Sequence, residues 1–221
     1  MRAGAVAVAG LLLAACASAP PPPPSGLPKT PRELKVEVPP EWRPGDRWVY
    51  RWSSAAQSGA RTVEVVEVRS MGGARYYVAR SDDVHEYWTP ELHWAALVRD
   101  AKVEARMLPP EPWFVWPLEV GRRWTHSGVF EDRTGRREST HQFLVEASET
   151  VVVPAGRFEA LRVVRETSTL HFDRYWYAPS VGSYVKWTGR RGETEFAVEL
   201  VEYRAGPRAT SGEQRQEPAR R

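Results

Sequence analysis

The chain has 221 residues, 42% of them hydrophobic and 27% charged, with a formal charge of +3. That balance suits one folded body in water and excludes a polytopic membrane protein or a wholly disordered chain. Basic and acidic residues alternate, as in Arg61, Glu64, Glu67 and Arg69. No basic stripe exists to neutralise phosphates, so no nucleic-acid partner is expected.

The chain opens with an export signal over residues 1–15. Arg2 supplies a positive start, and Ala5 to Leu13 form an apolar run interrupted only by Gly10. The run is too short to span a bilayer as an anchor. It ends Leu13-Ala14-Ala15-Cys16, which resembles the lipobox of bacterial lipoproteins. In that motif the Cys thiol is alkylated by a diacylglycerol, and a peptidase then cuts before the Cys. The resemblance implies Cys16 as the lipid-attachment residue. Acyl chains contribute about 0.8 kcal/mol per buried CH₂, so two or three hold a protein on a membrane. Ala17 stands where inner-membrane lipoproteins carry Asp. The resemblance therefore implies anchoring in the outer membrane, facing the periplasm. Cys16 is also the only cysteine, which excludes an intramolecular disulfide, a CxxC zinc site or a catalytic Cys downstream.

Residues 16–40 read as the lipidated Cys and a linker, with Pro20 to Pro24 consecutive. Such a segment favours polyproline II, because φ is fixed and few backbone donors exist. Residues 205–221 read as a polar, disordered tail. The folded body is expected over 41–204, in two halves of about 41–110 and 111–204.

That body reads as all-β. Trp48 to Trp52 is one segment rich in aromatic and β-branched residues, and Thr62 to Arg69 is the next. Apolar parity switches between Val65 and Val66, and again between Leu200 and Val201 in the segment Phe196 to Tyr203. Each switch predicts a β-bulge. Turns are expected at Ser58-Gly59, Gly72-Gly73, Thr134-Gly135 and Arg191-Gly192. There is no Asn, so left-handed turn positions fall mainly to Gly. Val153-Pro154-Ala155-Gly156 and Pro179 to Gly182 read as further turns. Short gaps predict antiparallel hairpins rather than crossovers.

An internal repeat runs through the body. Gly45-Asp46-Arg47-Trp48 matches Gly121-Arg122-Arg123-Trp124, and Tyr87-Trp88-Thr89-Pro90 matches Tyr175-Trp176-Tyr177-Ala178-Pro179 in the same order. The expected fold is a curved antiparallel sheet or half-barrel built from two related β-meanders, each burying its apolar face on the other. Trp48 and Trp124 are expected as core anchors.

Three stretches together resemble a known family. They are Pro117-Leu118-Glu119-Val120-Gly121 with Trp124, Val153 to Leu161, and Tyr175 to Gly182. In this order they resemble the TapB-like group of bacterial envelope lipoprotein domains of unknown function. Ser180 departs from the Gly usual in that group. The resemblance implies a half-barrel of the kind found in lipoprotein carriers, and it brings no catalytic residues.

The remaining candidates are few. Pro112-Trp113-Phe114-Val115-Trp116-Pro117 is either a buried connection between the halves or a rim on which Trp113, Phe114 and Trp116 meet a ligand or partner. His85, His93 and His171 match no zinc-ligand spacing, and no nucleophile elbow, P-loop or dinucleotide motif occurs. No metal or other cofactor is expected. The functional expectation is an outer-membrane-anchored, noncatalytic envelope domain. It would bind an apolar small molecule, as a lipoprotein carrier does, or serve as an assembly or scaffold partner of envelope proteins. A metal-dependent hydrolase using those histidines is the remaining alternative.

Overall fold

The computed structural model describes residues 34–167 and 171–208. The expected signal, Cys16, most of the linker and most of the tail lie outside the described residues.

Fourteen strands follow one another in the described residues: β1 (Lys35–Val36), β2 (Arg47–Ser54), β3 (Ser58–Met71), β4 (Ala74–Ser81), β5 (Val84–Trp88), β6 (His93–Arg99), β7 (Lys102–Pro112), β8 (Leu118–Glu119), β9 (Arg123–Asp132), β10 (Gly135–Val153), β11 (Gly156–Thr167), β12 (Phe172–Ala178), β13 (Ser183–Arg191) and β14 (Thr194–Arg204). Twelve of them, all but β1 and β8, form a closed antiparallel barrel. Each pairs with its chain neighbour, and β14 returns to β2 along Phe196↔Ser54 to Arg204↔Arg47. The sheet therefore curls past a half-barrel until its ends meet. β1 and β8 pair separately, Lys35 opposite Glu119. The ordered body thus reaches back into the segment read as linker. At the other end, the Gly206 N–H donates to Asp46 Oδ1 at 2.7 Å, so the start of the tail is docked.

The repeat is structural as well as sequential. Six strands, β2 to β7, are followed by six more, β9 to β14. Gly45 N–H donates to Val65 O at 2.8 Å and Val65 N–H to Asp46 O at 2.9 Å; Gly121 N–H donates to Val145 O and Val145 N–H to Arg122 O, both at 2.9 Å. Gly45 and Gly121 both hold positive φ, +92° and +88°, which a β-carbon disfavours. The predicted bulges occur where parity switched, between Val65 and Glu67 and between Leu200 and Glu202. A bulge matching the first lies between Val145 and Ala147.

One expected turn falls elsewhere. Ser58 and Gly59 belong to β3, and the chain turns before them, closed by Ser54 N–H to Gln57 O at 2.7 Å. Gly59 serves close packing instead: a β-carbon there would sit 2.9 Å from the Trp52 indole.

Inner and outer walls differ in chemistry. Outside, cross-strand ion pairs join Arg51 to Glu199, Arg80 to Glu64, Arg106 to Glu131 and Arg162 to Glu146. A wall of this kind faces water; a membrane-spanning barrel presents an apolar band to lipid. No helix among the described residues is long and apolar enough to cross a membrane.

Inside, one end of the barrel is packed solid. Trp48, Tyr77, Trp88, Phe143, Val145, Leu161, Tyr177 and Leu200 point inward, and Trp42, Phe114 and Leu118 from the connecting segments fill the space between them. The two halves are tied by exchanged indole bonds. Trp42 Nε1 donates to Gly182 O at 2.7 Å, and Trp116 Nε1 donates to Glu91 O at 3.0 Å. Each tryptophan thereby holds a turn of the other half.

Truncating a fully buried indole leaves a cavity costing about 3–5 kcal/mol. Trp48→Ala is expected to lose that much in a urea melt. Val152→Thr, on the exposed outer wall, is expected to stay within about 0.5 kcal/mol of the parent.

Candidate functional site

The opposite end of the lumen is polar and aromatic. Strand alternation explains which side chains meet there, since residues two apart share a face. On β11 and β12, Arg165 lies opposite Asp173; on β13, Gly189 lies opposite Asp173; on β14, Phe196 lies opposite Gly189. A β-carbon on Gly189 would stand 2.6 Å from both Asp173 Oδ1 and the Phe196 ring. The missing side chain makes room for the carboxylate.

Two buried carboxylates are bridged by one guanidinium. Arg165 Nη1 donates to both oxygens of Glu111 at 3.1 Å, while its Nε and Nη2 donate to Asp173 Oδ2 at 2.9 and 2.5 Å. Asp173, with 0% exposure, also accepts from Trp187 Nε1 at 2.9 Å and Arg191 Nη2 at 2.8 Å. Glu111 further accepts from Trp113 Nε1 at 3.3 Å and is hydrogen-bonded to His141 Nδ1. His141 Nε2 shares a 2.7 Å hydrogen bond with Ser139 Oγ. Breaking such a buried network by removing one charge leaves another unpaired, which is costly.

Burial pushes the Glu111 carboxyl up, but the His141 hydrogen bond and the Arg165 charge outweigh it and hold the group at about 2. Burial pulls the His126 imidazole below its ordinary value, opposed by Glu111 and reinforced by His141. His126 lies opposite His141, and its Nε2 is buried without a partner. The Tyr175 hydroxyl, among these groups, is likewise buried without one.

Beside the network the lumen opens into a cavity of about 440 Å³, lined by Trp52, Ser54, Arg61, Trp187, Arg191, Phe196 and Val198. These residues come from four adjacent strands, β13, β14, β2 and β3. Trp187 meets Phe196 edge-on at 4.9 Å and stacks on Tyr175 at 5.5 Å. Arg61 Nη2 donates to Tyr184 Oη at 2.7 Å across the lumen.

The residues singled out from sequence take varied places. Trp113 turns into the lumen, where its ring meets Tyr175 at 4.6 Å and Trp88 at 4.9 Å. Phe114, 3% exposed, packs on Tyr177 at 4.9 Å. Trp116 is half-buried and meets Tyr177 at 5.4 Å. His85 lies on β5, His93 begins β6, and His171 precedes β12. No group of three His, Cys, Asp or Glu among the described residues could hold a metal ion. Sequence reading singled out none of Glu111, His141, Arg165 and Asp173, and it missed the cavity. The only signal was a set of polar residues on otherwise apolar inner faces.

The depressed value of Glu111 has a defined pH consequence. It lies below the ordinary 4.5, so the unfolded chain binds the proton more tightly. Its contribution of about 3 kcal/mol is whole above that ordinary value and is lost as pH falls toward 2. Urea midpoints measured over this acid range are expected to fall steeply in the parent and more gently in Glu111→Gln, which starts lower at neutral pH.

No family model and no curated protein matches the chain, so the TapB-like resemblance rests on the quoted motifs. Among solved structures, the chain is similar to one described as a lipoprotein from Parabacteroides distasonis, at 15% identity and TM-score 0.45, over 78% of this chain and 100% of that chain. It is similar to one described as an exported protein with a YmcC-like fold from Bacteroides fragilis, at 14% identity and TM-score 0.47, over 77% of this chain and 100% of that chain. It is also similar to one described as the lipoprotein YmcC of Escherichia coli, at 7% identity and TM-score 0.34, over 71% of this chain and 84% of that chain.

Proposed function

We propose that the chain is a lipid-anchored, noncatalytic domain of the bacterial envelope whose barrel mouth binds an apolar ligand. The observation that carries this reading is the cavity of about 440 Å³ walled by Trp52, Trp187, Phe196 and Val198. Its size falls within the range of small-molecule sites, and rigid aromatic walls suit an apolar guest. The lipobox at Cys16 and the Ala that follows it support outer-membrane anchoring with the barrel on the periplasmic side.

The lumen chemistry supports binding over catalysis. A general base works best with a pKa near the operating pH. Glu111, at about 2, is a weak base, and Asp173 faces donors from Arg165, Trp187 and Arg191. An assembly role by strand addition needs an unpaired sheet edge, and each of the twelve barrel strands is paired on both sides.

Three measurements test the proposal. Wild-type protein is expected in the membrane fraction and Cys16→Ser in the soluble fraction; equal partition overturns the anchor. Native mass spectrometry of gently extracted protein is expected to show a bound apolar species. Added hexadecanol is expected to quench tryptophan fluorescence, with about tenfold weaker binding in Phe196→Ala from the lost apolar contact. Absence of both signals overturns the ligand.

A further inference from the structure

We propose that the ligand is a single-chain amphiphile with an anionic head, the head held by Arg61 and the chain lying against Trp52, Trp187, Phe196 and Val198. The proposal rests on the apolar-ligand reading above and adds the chemistry of the head.

The argument begins with charge pairing around the lumen. Arg165 is neutralised by Glu111 and Asp173, and Arg191 by Asp173. Arg61 differs. Its Nη2 donates to the neutral Tyr184 hydroxyl, its guanidinium stands 5.9 Å from the Tyr50 ring, and its Nε is buried without a partner. Among the described residues no carboxylate lies within ion-pair distance of it; Glu86 acts on it only from farther away. A largely desolvated charge with no counter-ion at contact is costly. An anion entering the cavity would remove that cost. The planar guanidinium offers paired donors that match a carboxylate or phosphate.

The internal repeat sharpens the point. Arg61 lies opposite Tyr50, four residues before the anchoring Val65; His141 lies opposite His126, four residues before the anchoring Val145. In the second half the inward donor at this place, His141, meets the carboxylate of Glu111. In the first half the corresponding donor is a full cation, and the wall supplies no carboxylate at contact. The apolar side of the cavity sets the rest of the ligand. A cavity of about 440 Å³ lies toward the small end of ligand sites, which favours one chain over several.

The test uses the full chain carrying Cys16→Ser, which keeps its own acyl groups out of the assay. Palmitate, hexadecyl phosphate and hexadecanol are titrated against tryptophan fluorescence. At least one anion is expected to bind about tenfold or more tighter than the alcohol, and Arg61→Met is expected to reduce that preference to about twofold or less. Arg61→Lys is expected to keep part of the preference. A circular dichroism spectrum and a urea midpoint like the parent's in both variants confirm an intact barrel. Stronger binding of palmitate points to a fatty acid, and stronger binding of hexadecyl phosphate to a phosphate-headed lipid. Equal affinity for all three overturns the anionic head while leaving the apolar-ligand reading in place. So does a preference that survives Arg61→Met. Binding of none overturns both.

Discussion

The constraint on which the rest depends is the filling of a twelve-strand lumen. A barrel of about eight strands is filled by its own inward side chains, and a wider one encloses space that something else must occupy. Here large rings and two connecting segments do so. All ten tryptophans belong to the buried core or pack against it. Trp42 and Phe114 come from outside the barrel strands, yet both are buried among inward-facing rings. Packing is dense where the connections dip inward. At the other end the same connection contributes Trp113, which packs on Tyr175 beside Glu111, and the rest of the lumen is lined by charge, aromatic faces and open volume.

The buried charges follow from the same geometry. Polar groups inside a barrel are costly unless they find partners. Arg165 meets this demand by bridging β7 and β12 through Glu111 and Asp173. The network joins strands that are not neighbours in the sheet and thereby braces the wall beside the cavity. Gly189 is part of this arrangement, since Asp173 and Phe196 occupy the space its side chain would need. The two halves differ at this level: they share backbone anchors and turns, but the second carries the paired network and the first carries Arg61.

Much of the fold was legible because it is written locally. Hairpin spacing, the Gly-x-x-Trp repeat and the parity switches at Val65 and Leu200 are features of short windows, and the structure places bulges where the switches occur. Closure was not legible in that way. It depends on β14 finding β2, a pairing of distant segments that no short window encodes. The turn expected at Ser58-Gly59 shows a second limit, because glycine marks close approach as well as turning, and here the approaching group is Trp52. The lumen residues were hidden for a related reason. Glu111, His141 and the Arg165–Asp173 pair are far apart in the chain, and each residue alone reads as an ordinary polar residue on a strand.

The seam between the last barrel strand and the first is built like the others. β14 and β2 are paired over eight residues of register, and Asp46 fastens the chain on either side of that seam through Arg43 and Gly206. With six strands in each half, the closed ring has no geometrical beginning. A gene in which the second half preceded the first, joined across this seam and opened between β7 and β9, would encode the same circle of strand pairings.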